Sequence, residues 1–321
     1  MFNMAYYRCQ TPVTLIFFNR PDTLKQVFEQ IRKARPYKLY LVQDGPRKNC
    51  PEDAERILEC RRITQEVDWE CQVFCNYSEE NLGCGIRPQS GISWTLSQEE
   101  KTIILEDDCV PELSFFRYCD ELLERYQDDD RVSYISGLNH FENWDFGEKS
   151  YGFTRQGAIW GWATWRRAWA TYDYAVSAIS DAYLQKQLEY IGMEGRVKTW
   201  IRTNQLVKQN IKISYWDIQW GFVKHTQNQL VIVPQSNLIR NIGVGADSTH
   251  AKGLGNRHVK YDDFNNMPTS PMEFPMKHPD YMICDKIYDD LLAKCNKRIN
   301  SKIAIIKRKI TDIMKGLQNN G

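Results

Sequence analysis

The chain has 321 residues, 42% of them apolar and 26% charged, with a formal net charge of +1. That length admits one large domain or two small ones, and the near-neutral charge excludes the global basic field of a nucleic-acid binder. The ten cysteines include no C-x-x-C pair, and "MFNMAYYRCQ" lacks an apolar signal core, so reduced thiols in a cytoplasmic protein are expected.

In chain order, "VTLIFFNR" (13–20) is an apolar run suited to a strand buried on both faces. Pro21-Asp22 then opens a helix with Leu24, Val27, Phe28 and Ile31 on one stripe. "KLYLVQDG" (38–45) is a second strand ending in a turn at Asp44-Gly45-Pro46. Residues 51–66 read as a helix with Ala54, Ile57 and Leu58 inward, and "ECQVFCNY" (70–77) as a third strand. A glycine-broken loop, Asn81–Arg87, leads to a helix through Ile92 and Leu96, and "KTIILEDD" (101–108) is the fourth strand. Strand–helix alternation with short links predicts an α/β fold with a mostly parallel sheet, its strand carboxyl ends on one edge. Asn19, Arg20, Asp44, the Asn81–Arg87 loop and Glu106–Asp108 would gather there.

Beyond Pro111 the sequence predicts a helix through Phe115, Phe116 and Leu122, a strand at 131–137, an aromatic stretch "GAIWGWATWRRAW" (157–169) and helices around 180–209. A strand and a glycine-containing loop follow at 230–250. One catalytic domain over 9–280 is expected, with a separate basic tail over 281–321. In that tail Ile299, Ile303, Ile306, Ile310, Ile313 and Leu317 form one apolar helical stripe, with lysines and arginines on the other faces. Such a helix suits an anionic membrane surface, here through residues 294–317, giving peripheral attachment to the inner face of the cell membrane. The same stripe also suits packing on its own domain or a homodimer. No apolar run approaches the ~20 residues of a membrane span.

The acids Glu106, Asp107 and Asp108 stand out because a buried strand delivers them to the sheet edge, where open α/β sheets bind ligands. Hard oxygen donors suit Mg²⁺ or Mn²⁺, with substrate phosphates completing the shell. Strand alternation predicts that Glu106 and Asp108 share a side and Asp107 points away. Capping of the following turn is the competing role for these acids.

The ordered set "FFNRPDTLKQVFEQI", "LVQDGPR", "NLGCGIRPQSGISWTL", "IILEDDCVPELSFFRYC", "ISGLN", "WGWATWRRAW" and "NIGVGADSTH" resembles the GT-A fold glycosyltransferases. Within them it is similar to the N-acetylglucosaminyltransferase I type and its bacterial haemolysin-like relatives. The resemblance spans Pro12 to about His250. It implies a Rossmann-like GT-A domain, a UDP-sugar donor and a glycan or lipid-linked acceptor in bacterial surface polysaccharide synthesis. Asn19, Arg20 and Asp44 would hold base and ribose, with turn formation the alternative for Asp44. Arg87 would meet the diphosphate, Asp107 the ribose and Asp108 the metal, with Glu106 beside them. Gly161 and Trp162 would pack beside donor sugar and acceptor, or belong to the core. His250, on a loop closing over the donor, would reach phosphate or metal.

The implied general base is a carboxylate. Asp217 in "SYWDIQW" is the first candidate, flanked by Trp216 and Trp220, whose apolar surroundings would raise its pKa; Asp173 is the second. The relatives carry a second acid where this chain has Ile218. Two other readings are a sugar-phosphate nucleotidyltransferase, which wants a glycine-rich turn after the first strand, and a non-catalytic carbohydrate-binding protein using the aromatic cluster.

Overall fold

The computed structural model describes residues 7–243 and 265–295. Four apolar runs pair in parallel: β1 (Val13–Phe17), β2 (Lys38–Gln43), β3 (Gln72–Tyr77) and β4 (Lys101–Glu106). Each is followed or preceded by a helix: α1 (Pro21–Ala34), α2 (Glu52–Gln65) and α3 (Arg87–Gln98). In α1 proline fills the first turn, where its missing N–H costs nothing, and Leu24, Val27, Phe28 and Ile31 are buried as their spacing predicts. In α2 the inward residues are Asp53, Ile57, Cys60 and Thr64, while Ala54 is exposed and Leu58 is 50% exposed. The helix is turned because the Asp53 carboxylate is drawn inward by Arg47 and Asn19.

The second half adds β5 (Cys109–Pro111), α4 (Ser114–Arg125), β6 (Val132–Ser136), β7 (Tyr151–Thr154) and β8 (Trp162–Trp165). After these come α5 (Arg166–Trp169), α6 (Ala182–Tyr190), α7 (Glu194–Lys208), α8 (Asp217–Thr226), β9 (Leu230–Pro234) and β10 (Ile239–Asn241). Eight strands form one sheet in the order β3-β2-β1-β4-β8-β6-β9-β7, and β5 pairs with β10 in a separate antiparallel ribbon. The sheet is parallel at β3–β2–β1–β4 and β6–β9, and antiparallel where β8 and β7 join.

Strand residues alternate between two cores. Val13, Leu15, Leu41, Ile103 and Leu105 join α1 and α4 on one face. Ile16, Val42, Ile104 and Trp162 join α3, α5, α7 and α8 on the other. The chain steps outward from β1 to β3, then returns to the other side of β1 with β4. Crossovers that part on either side of β1 leave a crevice at the β1 and β4 carboxyl ends, the switch point at which such sheets bind ligands.

The expected break between 280 and 281 coincides with no break in packing. Cys284 bridges to Phe153, and a helical segment over 286–295 buries Tyr288 and Leu292. Tyr288 sits 4.9 Å from the Phe141 ring and 5.2 Å from Trp144, whose indole N–H donates to Asp285. The stripe from Ile299 to Leu317 lies outside the described residues. Among those described, no helix is long and apolar enough to cross a membrane.

Candidate active site

The switch point is acidic. β4 ends at Glu106, and Asp107 and Asp108 form the turn into β5. Since the strand stops there, side-chain alternation stops too, and Asp107 and Asp108 turn to the same partner instead of opposite ways. Arg20, at the head of α1, pairs with Asp107 and reaches Asp108 Oδ2 at 3.0 Å. Asp107 is 3% exposed and also accepts from the Phe18 backbone N–H at 3.1 Å. Thus Arg20, expected at the nucleotide, is an internal counter-ion of the cluster, and Asp107 is tied to the turn after β1.

The Glu106 carboxyl has neither a hydrogen bond nor an ion pair among the described residues. Its carboxyl is pushed up to about 8, first by burial, then by Asp108 and Asp107, with Arg20 opposing and Asp217 adding to the rise. Three acids against one guanidinium leave excess negative charge that a divalent cation would relieve. The donor chemistry of Glu106 and Asp108, carboxylate oxygen throughout, fits Mg²⁺ or Mn²⁺. No group of three or more His, Cys, Asp or Glu converges on one metal position among the described residues, so such an ion would take further oxygens from a ligand. His250 lies outside the described residues. The ribbon β5–β10 frames Asp108: the Ile242 N–H donates to its carbonyl at 2.8 Å, and a methyl on Gly243 would collide with its carboxylate.

The rest of the edge is strongly tied within itself. Asp44 is buried, and its carboxylate accepts from the N–H groups of Gly45 (3.0 Å), Leu82 (2.8 Å) and Gly83 (2.8 Å) and from the Asn81 amide (3.1 Å). It therefore organises the loop before α3, filling the acceptor positions a base imide would use. Arg87 is 5% exposed and points into the protein, donating to the Gln43 carbonyl at 3.1 Å and to Asn76. A guanidinium so placed joins β2 to β3. Asn19 donates to Asp53 Oδ1 at 2.7 Å.

Asp217 opens α8, where the helix dipole favours an anion. It is exposed to solvent, while Trp216 and Trp220 are buried away from it; the apolar surroundings expected around its carboxylate belong to its neighbours. Asp173, the second candidate base, is tied to the loop before a short 3₁₀ helix, accepting from the N–H groups of Ala175 at 2.9 Å and Ser177 at 2.5 Å. Trp162 is fully buried and stacks on Trp216 at 5.8 Å, beside Trp169 and Trp220. Its face is core, with no free surface for a sugar. Gly161 is required by conformation (φ +60) and by contact with Ile239, and its carbonyl accepts from Gly137 N–H at 2.8 Å.

The two halves meet where the 81–87 loop packs on the residues before α8. Gly85 lies against the Ile213 carbonyl, the Cys84 thiol donates to the Ser214 carbonyl at 2.9 Å, and Lys212 donates to the Asn81 carbonyl at 3.1 Å. The sequence reading passed over this contact; its one signal is Gly85, since only glycine admits so close a backbone. Asn241 and Gly243 beside Asp108 were likewise missed as individual contacts.

No family model matches the chain, and no curated protein does. Solved structures similar to it include UDP-glucose pyrophosphorylase complexed with UDP-glucose, at 10% identity and a TM-score of 0.36, covering 70% of this chain and 91% of that one. The galactosyltransferase LgtC, in complex with donor and acceptor sugar analogs, is 11% identical with a TM-score of 0.36, covering 88% and 96%. The inositol-1-phosphate CTP transferase from T. maritima is 10% identical with a TM-score of 0.37, covering 71% and 86%. Similarities this distant carry neither activity nor substrate over to the present chain.

Proposed function

We propose that the chain is an inverting, metal-dependent glycosyltransferase that moves a sugar from a UDP-sugar to a hydroxyl of a glycan or lipid-linked acceptor. The observation carrying this reading is the approach of acids from two separate parts of the chain. Asp217, at the start of α8, is close enough for its charge to help raise Glu106 at the end of β4. A buried acidic cluster suits the diphosphate end of a donor; a solvent-exposed carboxylate at the start of a helix suits proton removal from an acceptor.

In this mechanism Asp217 accepts the hydroxyl proton as the acceptor oxygen bonds to the anomeric carbon. The bond from that carbon to the diphosphate oxygen breaks, and its electron pair leaves with UDP. Attack from the face opposite the leaving group inverts the centre. Asp108 and Glu106 would hold Mg²⁺ or Mn²⁺, which when bound supplies positive charge to the departing diphosphate. Arg20 and Asp107 fix the turn that presents Asp108, and Asn19 and the Asp44-anchored loop shape the nucleotide side.

The nucleotidyltransferase alternative is disfavoured by the turn after β1. There Phe18–Arg20 contains no glycine and is bound to Asp107, leaving no glycine-rich phosphate cradle.

Calorimetric titration with UDP, with and without Mn²⁺, tests the reading. Binding should require the metal, and Asp108→Asn should weaken it by at least roughly tenfold with an unchanged unfolding midpoint. Equal affinity with and without Mn²⁺, or in the variant, would remove the metal from the proposal. A panel of UDP-sugars would then name the donor.

A further inference from the structure

Beyond Asp217, three basic residues gather around a single acid, Asp289. Lys224 follows Asp217 by seven residues in α8, so it lies about two turns, or roughly 10 Å, further along the same helix face. It is 4% exposed, and its ammonium donates to the Arg155 carbonyl. Arg196, from α7, donates to the Gln156 side chain at 3.2 Å, and Arg155 stands in the loop from β7 to β8. None of the three forms an ion pair among the described residues.

Asp289 attracts both Arg196 and Lys224, but its carboxylate already accepts from the N–H groups of Arg155 (2.8 Å) and Gln156 (3.1 Å) and from the Cys284 thiol (3.1 Å). Lys224 is held down to about 7, by burial first and then by Arg196, with Asp289 opposing and Arg155 adding to the fall. Neighbouring His225, lowered to about 2 mainly by burial, is neutral and adds no charge. Arg196 is exposed on α7, and the protein around it lowers its pKa. Tyr134, whose hydroxyl donates to the Gly157 carbonyl at 3.0 Å, feels the charges of both Arg196 and Asp217. The cations and the proposed base therefore flank one tyrosine.

We propose that this cluster of Arg155, Arg196 and Lys224 is an anion subsite for the acceptor, taking a phosphate or carboxylate about two helical turns, or roughly 10 Å, along α8 from Asp217. Its assignment to the acceptor rests on the role given to Asp217 above. Guanidinium forks match either oxoacid group with paired hydrogen bonds. Like charges held together at a cost to the fold find their partner when such an anion binds.

The test titrates inorganic phosphate, glucuronate and glucose into the full-length chain with UDP and Mg²⁺ present, following arginine Nε–H signals by NMR. Phosphate, glucuronate or both should shift the Arg196 and Arg155 signals saturably in the millimolar range, and glucose should not. Whichever anion binds identifies the group. Arg196→Lys should retain binding, read at Arg155, while Arg196→Gln should weaken it several-fold. No saturable shift with either anion, or equal affinity in Arg196→Gln and Arg196→Lys, would overturn the inference. The same titration without UDP keeps the two proposals apart. Anion binding in a chain that fails to bind UDP would count against the donor reading alone, and UDP binding without anion binding against the subsite alone.

Discussion

Glu106 is the residue at which the acidic cluster can be measured directly. Its carboxyl rises from the usual 4.5 to about 8, burial first and then the adjacent aspartates. A group whose pKa is raised on folding gives its stability in the protonated form. That contribution is complete below 4.5 and is lost as pH climbs through 8. Glu106→Gln keeps the neutral form at every pH, so without added metal it should equal the parent near pH 4 and exceed it above pH 8. A gain on the order of 2 kcal/mol is expected there, allowing for solvent contact. Denaturant unfolding at both pH values checks it, and equal midpoints at pH 9 would mean that the carboxyl ionises freely. The three adjacent acids were visible in the sequence as a cluster behind a buried strand. Their directions were not, because strand alternation assumes a strand that continues past Glu106, and here it ends.

Among the elements, β1 to β4 and α1 were legible because each carries an apolar run or stripe of its own period. The inward face of α2 was not, since it is set by a charged residue, Asp53, and its partner Arg47, which no hydrophobic period records. The same limit applies to Arg87. A cation after a glycine loop reads as a phosphate ligand, yet its donors reach Gln43 and Asn76 at the ends of β2 and β3. Arg87→Met should therefore act on stability. The Gln43 and Asn76 carbonyls would each lose a donor, Gln43 keeping the Ser78 N–H, a loss of about 1–3 kcal/mol. UDP affinity measured well below the melting range should change little. A large fall in affinity at unchanged stability would return Arg87 to the diphosphate.

For the whole molecule, the alternation of strands and helices anticipated the α/β architecture and the gathering of loops at one edge. Packing also continues past the expected boundary at 280. The helical segment over 286–295 contributes Tyr288 and Leu292 to the second core, and these two positions precede Ile299 in the same apolar phase. Truncation after Cys295 should keep cooperative unfolding near the parent midpoint, whereas truncation after Asp280 should abolish it. Tyr288→Ala should cost about 3–5 kcal/mol. Thermal melts of the three variants decide whether 281–295 belongs to the domain.

Asp44 and Asp53 together lash the turns after β1 and β2 and the loop before α3 into one piece. The entropy of ordering those turns is thus lost once, during folding, and not again at each encounter with a ligand. Residence time then becomes the quantity such an edge can tune. Loosening either carboxylate would leave the rate of capture nearly unchanged and let the bound molecule escape sooner.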